Sequence, residues 1–527
     1  MRRKLISQSD TDTGEAEMKK LEELHNSIAA CDQVLISVEK NLTSFQADLA
    51  LVSAEIETLQ TRSTSLDAKL QNRKNVEKLL GPELDGLGLS PAAARKIQEG
   101  NMDDTWVKAL DDLEKRSKAL DAKARTGGGI KAIDDLRPLF DSLKDRAVER
   151  IRDYVVAQIK ALRGPNVNAQ LLQHSALARY KDAYAFLAKH QPKLEEEISQ
   201  AYVNTMRWYY LSNFTRYKAS LDKLNLQHLD KTDAIGQDDS SKRGPALRPG
   251  AGPRDPFTLG QRINLIRSPN PHALSTYVIE EDKSAHFLEM PFRTFNLALI
   301  DNASAEFSFL TEFFANSSFH VVSRRFNEVF QPTLELAQSL TKQLVDSTSD
   351  ALGILMCVRL NQHFAFELQR RKVSSMEGYV NATSMLLWPK FQMVMDMHCD
   401  SLRKAAAALS GRPAGSALSL TSSSHDGQSV APHPTTQRFA NFVQSTLQLS
   451  PEAGDDEPVQ RSLGRLRDDF QAFLVKLSKS IAEVKKRERF LFNNYSLIGT
   501  IINDNEGKMA DDFKGYFADL RVNLAGR

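Results

Sequence analysis

The sequence predicts an all-α protein, with a long amino-terminal coiled coil followed by stacked helical bundles. Three observations carry that prediction. From Leu21 to Leu70 an apolar residue recurs at alternating steps of three and four without a slip in register. Beyond it, apolar residues keep helical spacing over long stretches that are separated by clusters of glycine and proline. The strict alternation of apolar and polar residues that marks a strand is almost absent.

The seam comprises Leu21, Leu24, Ile28, Cys31, Leu35, Val38, Leu42, Phe45, Leu49, Val52, Ile56, Leu59, Ser63, Leu66 and Leu70, of which only Ser63 is polar. An apolar repeat averaging 3.5 residues winds a helix into a left-handed coiled coil. At about 1.5 Å per residue the seam is roughly 75 Å long. A helix alone would leave this stripe in water, so a partner is required. An intramolecular hairpin would supply one. No second segment has a matching uninterrupted repeat, however, which points to another protein or a second copy. Phe45 and the mixed aliphatics do not by themselves fix the number of strands. The seam residues are the candidate subunit-assembly contacts.

Length and composition bound the rest. A chain of 527 residues exceeds the size at which single cores stop growing, so more than one helical unit is expected. With 69 basic and 67 acidic residues the net charge is +2, too small for a global field that would draw nucleic acid. Cys31, Cys357 and Cys399 are too widely spaced for a disulfide framework or zinc site, which suits a reducing compartment. The basic start, Met1 to Lys4, is not followed by a signal-type apolar region. The longest apolar run, Ala351 to Val358, falls far short of a membrane span.

In chain order, residues 1–20 are expected to be disordered and residues 21–80 to form the coiled coil, which Gly81-Pro82 should end. A first helical region covers 90–229. It opens with Ser90-Pro91 as N-cap and first helical residue. Helices are expected near Asp103–Ala124, Ile130–Leu162, Ala169–Lys189 and Gln191–Leu224. Gly127-Gly128-Gly129 reads as a hinge, since the strand and the lysine of a phosphate loop are missing. Tyr202, Trp208, Tyr209, Tyr210, Phe214 and Tyr217 fall at helical spacing, as core residues or as a peptide groove. Residues 230–271 read as a flexible basic linker carrying Lys242, Arg243, Arg248, Arg254, Arg262 and Arg267. A second helical region spans 272–408, a low-complexity linker 409–434, and a last helical region 435–527. In that last region Ser450-Pro451 should open a long helix bearing Phe470, Phe473, Leu474, Leu477, Ile481 and Val484 on one face.

No catalytic signature is present: neither a nucleophile elbow, a zinc helix, a Walker loop nor a dinucleotide fingerprint. His398-Cys399 beside Met395 and Met397 has soft-metal ligands but no second ligand pair at a suitable spacing. Asp455-Asp456 reads as solvated charge near a helix start. Arg370-Arg371-Lys372 and Lys485-Lys486-Arg487 are flanked by acids or lie on helix faces, which argues against nucleic-acid binding. The chain is therefore expected to be no enzyme, with no cofactor, metal or small-molecule substrate.

Several segments resemble the subunit fifty-two family of the vacuolar protein sorting proteins, a component of the Golgi-associated retrograde protein (GARP) tethering complex. They are Leu70-Gln71-Asn72-Arg73 with Val76-Glu77; Asp135-Leu136-Arg137-Pro138-Leu139 with Lys144, Ala147-Val148, Ile151-Arg152, Ile159, Leu162-Arg163 and Pro165; and Tyr180 with Phe186-Leu187. Phe257-Thr258-Leu259-Gly260, Leu299 to Phe314, Leu387-Trp388-Pro389-Lys390-Phe391 and Phe492-Asn493-Asn494-Tyr495 follow in order, so the resemblance spans roughly Glu55 to Leu497. It implies rod-like stacked helical bundles of the multisubunit tethering type. It also implies assembly with three other subunits through amino-terminal coiled coils, SNARE proteins and a Rab-type small GTPase as partners, and peripheral association with trans-Golgi network and endosome membranes. Family members usually continue well past Asn493-Asn494-Tyr495, which puts partner sites on the distal rod in doubt for a chain ending at Arg527. The alternative is a homodimeric coiled-coil scaffold or a motor or cytoskeletal adaptor.

Overall fold

A computed structural model describes residues 6–125, 131–164, 167–237, 255–267, 272–314, 318–409, 430–450 and 457–525. The chain divides into two compact units, residues 1–144 and 145–527.

In the first unit, helix α1 runs from Ile6 to Leu87 without a break. It thus covers residues 6–20, where disorder was expected. Glu15, Ala16, Glu17, Met18, Lys19 and Lys20 are good helix formers, and they extend the helix that the seam nucleates. It also passes through Gly81-Pro82, where the rod was expected to end. Proline lacks the N–H but holds a helical φ, so a helix can continue through it at the loss of one hydrogen bond. Helices α2 (Pro91–Glu99) and α3 (Asp104–Arg125) follow. Ser90 caps α2 by accepting the Ala93 N–H at 3.1 Å. Trp106, Leu110, Leu113 and Leu120 bury one face of α3, and Ile97 of α2 is fully buried. Arg116 of α3 donates to the Gly88 carbonyl just past α1. The hinge glycines 127–129 lie outside the described residues. Helix α4 (Lys131–Ala161) carries the unit boundary within it.

In the second unit, the expected helix 169–189 is interrupted. It becomes α5 (Ala169–Leu172), a π-turn over Gln173–Leu177, a 3₁₀ turn and α6 (Lys181–His190). The π-turn aims Gln173 inward at a buried carboxylate. Its Nε2 donates to Glu306 Oε2 at 2.6 Å and to the Tyr202 hydroxyl at 2.7 Å. Helix α7 (Pro192–Leu221) brings the Tyr202 and Tyr210 hydroxyls to the same carboxylate at 2.6 and 2.9 Å. Burial raises the Glu306 pKa against these three donors. Tyr202, Tyr210 and Phe214 are core, but Trp208 of the same helix is exposed.

Next come α8 (Asn264–Arg267), α9 (Thr276–Glu281), α10 (Glu289–Phe313), α11 (Phe319–Asp346), α12 (Ala351–Arg370) and α13 (Glu377–Ala408). Within this unit α11 packs on α7 and α10, and α12 on α10 and α13. The last helices are α14 (Pro434–Leu449), α15 (Glu457–Ser478), α16 (Val484–Ile502) and α17 (Lys508–Ala525). Here α15 packs on α13, α14 on α12 and α16, and α17 on α16. The rings of Phe439 and Phe470 stack at 4.0 Å between α14 and α15. The only strands among the described residues are a parallel pair, β1 (Asn225–Leu226) with β2 (Ala285–His286), in the register Asn225 to Ala285.

The structure of this unit differs from expectation at three places. The single long helix from Ser450-Pro451 is instead divided, since Ser450 closes α14 and α15 is described from Glu457. A turn after Ser478 then separates α15 from α16, so Ile481 is buried in that turn while Val484 begins α16 exposed. The 409–434 linker yields its last residue, Pro434, to α14, where His433 Nδ1 accepts the Thr435 N–H at 3.2 Å.

The third difference lies in residues 230–271, expected to be a flexible basic linker. Its described parts are docked on the helices. Phe257 and Leu259 are buried, and Ser445 of α14 both donates to the Phe257 carbonyl and accepts the Leu259 N–H. Arg262 is no solvated cation. Its Nε and Nη2 grip Glu289 of α10 at 2.7 and 2.9 Å, Nη2 also donates to Asp350 at 2.6 Å, and the guanidinium lies 3.8 Å from the Phe287 ring centroid. Asp350 in turn caps α12 through the Gly353 N–H at 2.9 Å. Gly353 leaves room for this group, because a Cβ there would come within 2.7 Å of Arg262 Nη2. At the other end, Gly236 lets the chain lie against α13, since a Cβ would sit 2.6 Å from the Ser401 backbone. Lys242, Arg243, Arg248 and Arg254 lie outside the described residues, and Arg267 is exposed.

Candidate assembly surface

On α1 the seam residues form one continuous face. Leu21, Leu24, Ile28, Leu35, Val38, Leu42, Phe45, Leu49, Val52, Ile56, Leu59, Leu66 and Leu70 are all between 44% and 63% exposed. No described segment of the first unit packs over them. Cys31 and Ser63 complete the face and are also exposed. Off the seam, the hydroxyls of Thr43, Thr58 and Thr61 donate back to the carbonyls of Glu39, Glu55 and Glu57 at 2.7 Å. Those side chains are satisfied by their own helix, whereas the apolar seam is not. Val34, Ile36 and Leu51 are further exposed apolar residues of α1; at about 100° per residue Val34 flanks the seam, whereas Ile36 and Leu51 fall on the far side of the helix. A count restricted to the 3.5-residue repeat does not register them.

The described residues outside α1 hold no catalytic constellation. No group of three or more His, Cys, Asp or Glu side chains among them could hold a metal ion, and no described helix is long and apolar enough to cross a membrane. Ser284, His286 and Asp282 do cluster, but serine and aspartate both meet the same ring nitrogen, Nε2, at 2.8 Å. A relay needs the two partners on opposite nitrogens, so this is a turn motif. A cavity of about 750 Å³ lies beside α7, lined by Tyr210, Phe214, Tyr217, Lys223, Glu280 and Asn302. Its lysine is paired with its glutamate at 3.1 Å.

His398 and Cys399 are buried core residues. His398 Nδ1 accepts the Ile235 N–H at 3.4 Å, and its ring packs against Phe257 and Phe442. Burial pushes its pKa down from 6.5 to about 4. The folded state therefore favours the neutral imidazole. Its contribution to stability is full above pH 6.5 and is lost as the pH falls towards 4, about 3 kcal/mol over that window. Urea melts of a His398→Gln variant should show a flatter pH profile than the parent between those limits. Parallel profiles would refute the assignment.

Two family descriptions match the chain. One, "Vps52/Sac2 family, coiled-coil", covers residues 15–187, and the other, "Vps52, C-terminal", covers residues 204–525. The chain belongs to the Vps52 family. The first match contains the whole seam, and the second contains α10 through α17. Vacuolar protein sorting-associated protein 52 of Schizosaccharomyces pombe is 33% identical over 508 residues, covering 95% of this chain and 96% of that protein. The protein of the same name from Saccharomyces cerevisiae is 28% identical, covering 91% and 81%. Vacuolar protein sorting-associated protein 52 A of Arabidopsis thaliana is also 28% identical, and this chain spans 66% of its length. Among solved structures, the S. cerevisiae exocyst component Exo70p aligns with a TM-score of 0.42 and 10% identity, covering 82% of this chain and 80% of that one.

Proposed function

We propose that this Vps52-family chain is a non-catalytic subunit of a GARP-like vesicle-tethering complex. It acts in retrograde transport from endosomes to the trans-Golgi network and joins its other subunits through the α1 seam. The observation that carries this reading is the exposed seam, thirteen large apolar side chains on one helix face, inside a chain of this family. The Rab-type GTPase and SNARE contacts and the peripheral location on trans-Golgi network and endosome membranes belong to the same proposal.

The composition of the seam favours this reading over a homodimeric scaffold. Counting Leu21 as the first position of a heptad, leucine fills most first positions and β-branched Val38 and Val52 take fourth positions. Two-stranded parallel coils prefer the reverse arrangement. In a parallel homodimer the flanking residues would place Lys20 by His25, Asp48 by Ser53 and Glu55 by Gln60, and only Arg62 by Asp67 would join opposite charges. Nothing in these flanks selects a second copy.

Affinity purification from the native cell, with mass spectrometry of the recovered proteins, tests the proposal. Three further coiled-coil proteins in equal amounts are expected. Recovery of this chain alone as a dimer would overturn the proposal in favour of the scaffold.

A further inference from the structure

We propose that the corner where α15 turns into α16 docks on an anionic membrane surface. The stretch Val475–Arg489 holds six basic residues, Lys476, Lys479, Lys485, Lys486, Arg487 and Arg489, against two acidic ones, Glu483 and Glu488. Its balance of +4 exceeds the +2 of the whole chain. The remaining residues therefore sum to a slightly negative charge, and this corner stands out as a local field.

The structure assigns these charges different jobs. Arg487 turns inward, and its Nη2 donates to the Ile481 carbonyl at 3.0 Å, holding the turn in shape. Glu483 is occupied by Lys486 at 3.0 Å. Lys476, Lys479, Lys485 and Arg489 are exposed and make no ion pair among the described residues. Ile481 is fully buried and anchors the turn, while Val484 projects beside the lysines with 59% of its surface exposed. Val475 is a second exposed apolar residue on the α15 side.

This arrangement suits a bilayer better than an acidic peptide. The exposed cations are spread over the end of α15, the turn and the start of α16, and do not line the cavity beside α7. Lysines outnumber arginines among them, and lysine meets phosphate as a point charge without demanding a fixed geometry. An exposed valine at the apex can enter the headgroup region while the surrounding ammonium groups stay with the lipid phosphates. The inference gives the membrane association proposed above a specific surface. It does not depend on the seam.

Co-sedimentation of the full chain with phosphatidylcholine vesicles, with and without phosphatidylserine, tests it. Binding is expected only with phosphatidylserine and should weaken with salt. Each neutralised cation should cost about fivefold, so Lys476→Gln, Lys479→Gln, Lys485→Gln and Arg489→Gln together should cost several hundredfold. Val484→Asp alone should cost about tenfold. All of these side chains are exposed, so the thermal melt should be unchanged. Equal binding to both vesicles, or full binding by the fourfold variant, would overturn the inference. So would capture of polyglutamate without capture of vesicles, which would point to an acidic protein partner. A Leu35→Asp, Leu42→Asp chain should keep its lipid binding, which separates failure at this corner from failure of the assembly reading.

Discussion

Replacing Leu35 and Leu42 together with aspartate is expected to release this chain from its partner subunits while α10 to α17 stay folded. Both leucines occupy first positions in adjacent heptads, and both are more than half exposed in the chain alone. In an assembled coil they would be buried. Losing two buried leucines removes on the order of 5 kcal/mol, a loss of several thousandfold in affinity, before the charge is counted. Two carboxylates facing an apolar layer would add the cost of burying unpaired charge. The prediction is read by co-purification and by circular dichroism of the recovered chain. Undiminished co-purification would rule out the seam as the assembly contact. A loss of helical signal beyond α1 would show that the substitutions act through folding instead.

The second large effect is expected at Arg262. Glu289 and Asp350 are almost wholly buried, and this guanidinium reaches both. Arg262→Met would leave the two carboxylates facing each other without their counter-charge. Removing one partner of a buried ion pair typically costs 3–5 kcal/mol, about that much here. The loss should exceed that of an ordinary surface substitution several times over, and urea denaturation would measure it. Arg262→Lys should rescue only part, since an ammonium cannot make the two-pronged contact with Glu289. Combining Arg262→Met with Glu289→Gln and Asp350→Asn should recover much of the loss, because the penalty lies in the stranded charges. A melt for Arg262→Met within about 0.5 kcal/mol of the parent would contradict the assignment of these contacts as a buried network.

At Arg262 the local sequence carries no sign of the contacts the residue makes. It lies in a segment, 230–271, whose glycine, proline and charge give it the composition of a linker, and its partners lie 27 and 88 residues further on. Nothing local announces that a basic residue will meet two carboxylates that distant helices have carried into the core. The same holds for Gln173, whose π-turn makes sense only once Glu306, far along the chain, is in place. Trp208 fails in the opposite direction, since a tryptophan at helical spacing among tyrosines reads as core, yet its position on α7 points it outward. The seam was legible because its signal is local and periodic. Fifteen successive positions on one helix state the repeat, and no tertiary contact is needed to interpret it. Helix ends were legible where a cap acts within one turn, as at Ser90-Pro91. At Gly81-Pro82 the helix runs on through the apparent stop, to Leu87.

The bare seam also bears on abundance in the cell. A helix of 82 residues with its apolar stripe in water presents a surface that chaperones and proteases recognise as unfinished. Copies of the chain made in excess of its companions would be held or degraded, and matched copies would be protected. Under the assembly proposed above, its steady-state level should then follow the supply of the scarcest companion more closely than its own rate of synthesis, and α1 would act as a stoichiometry gauge.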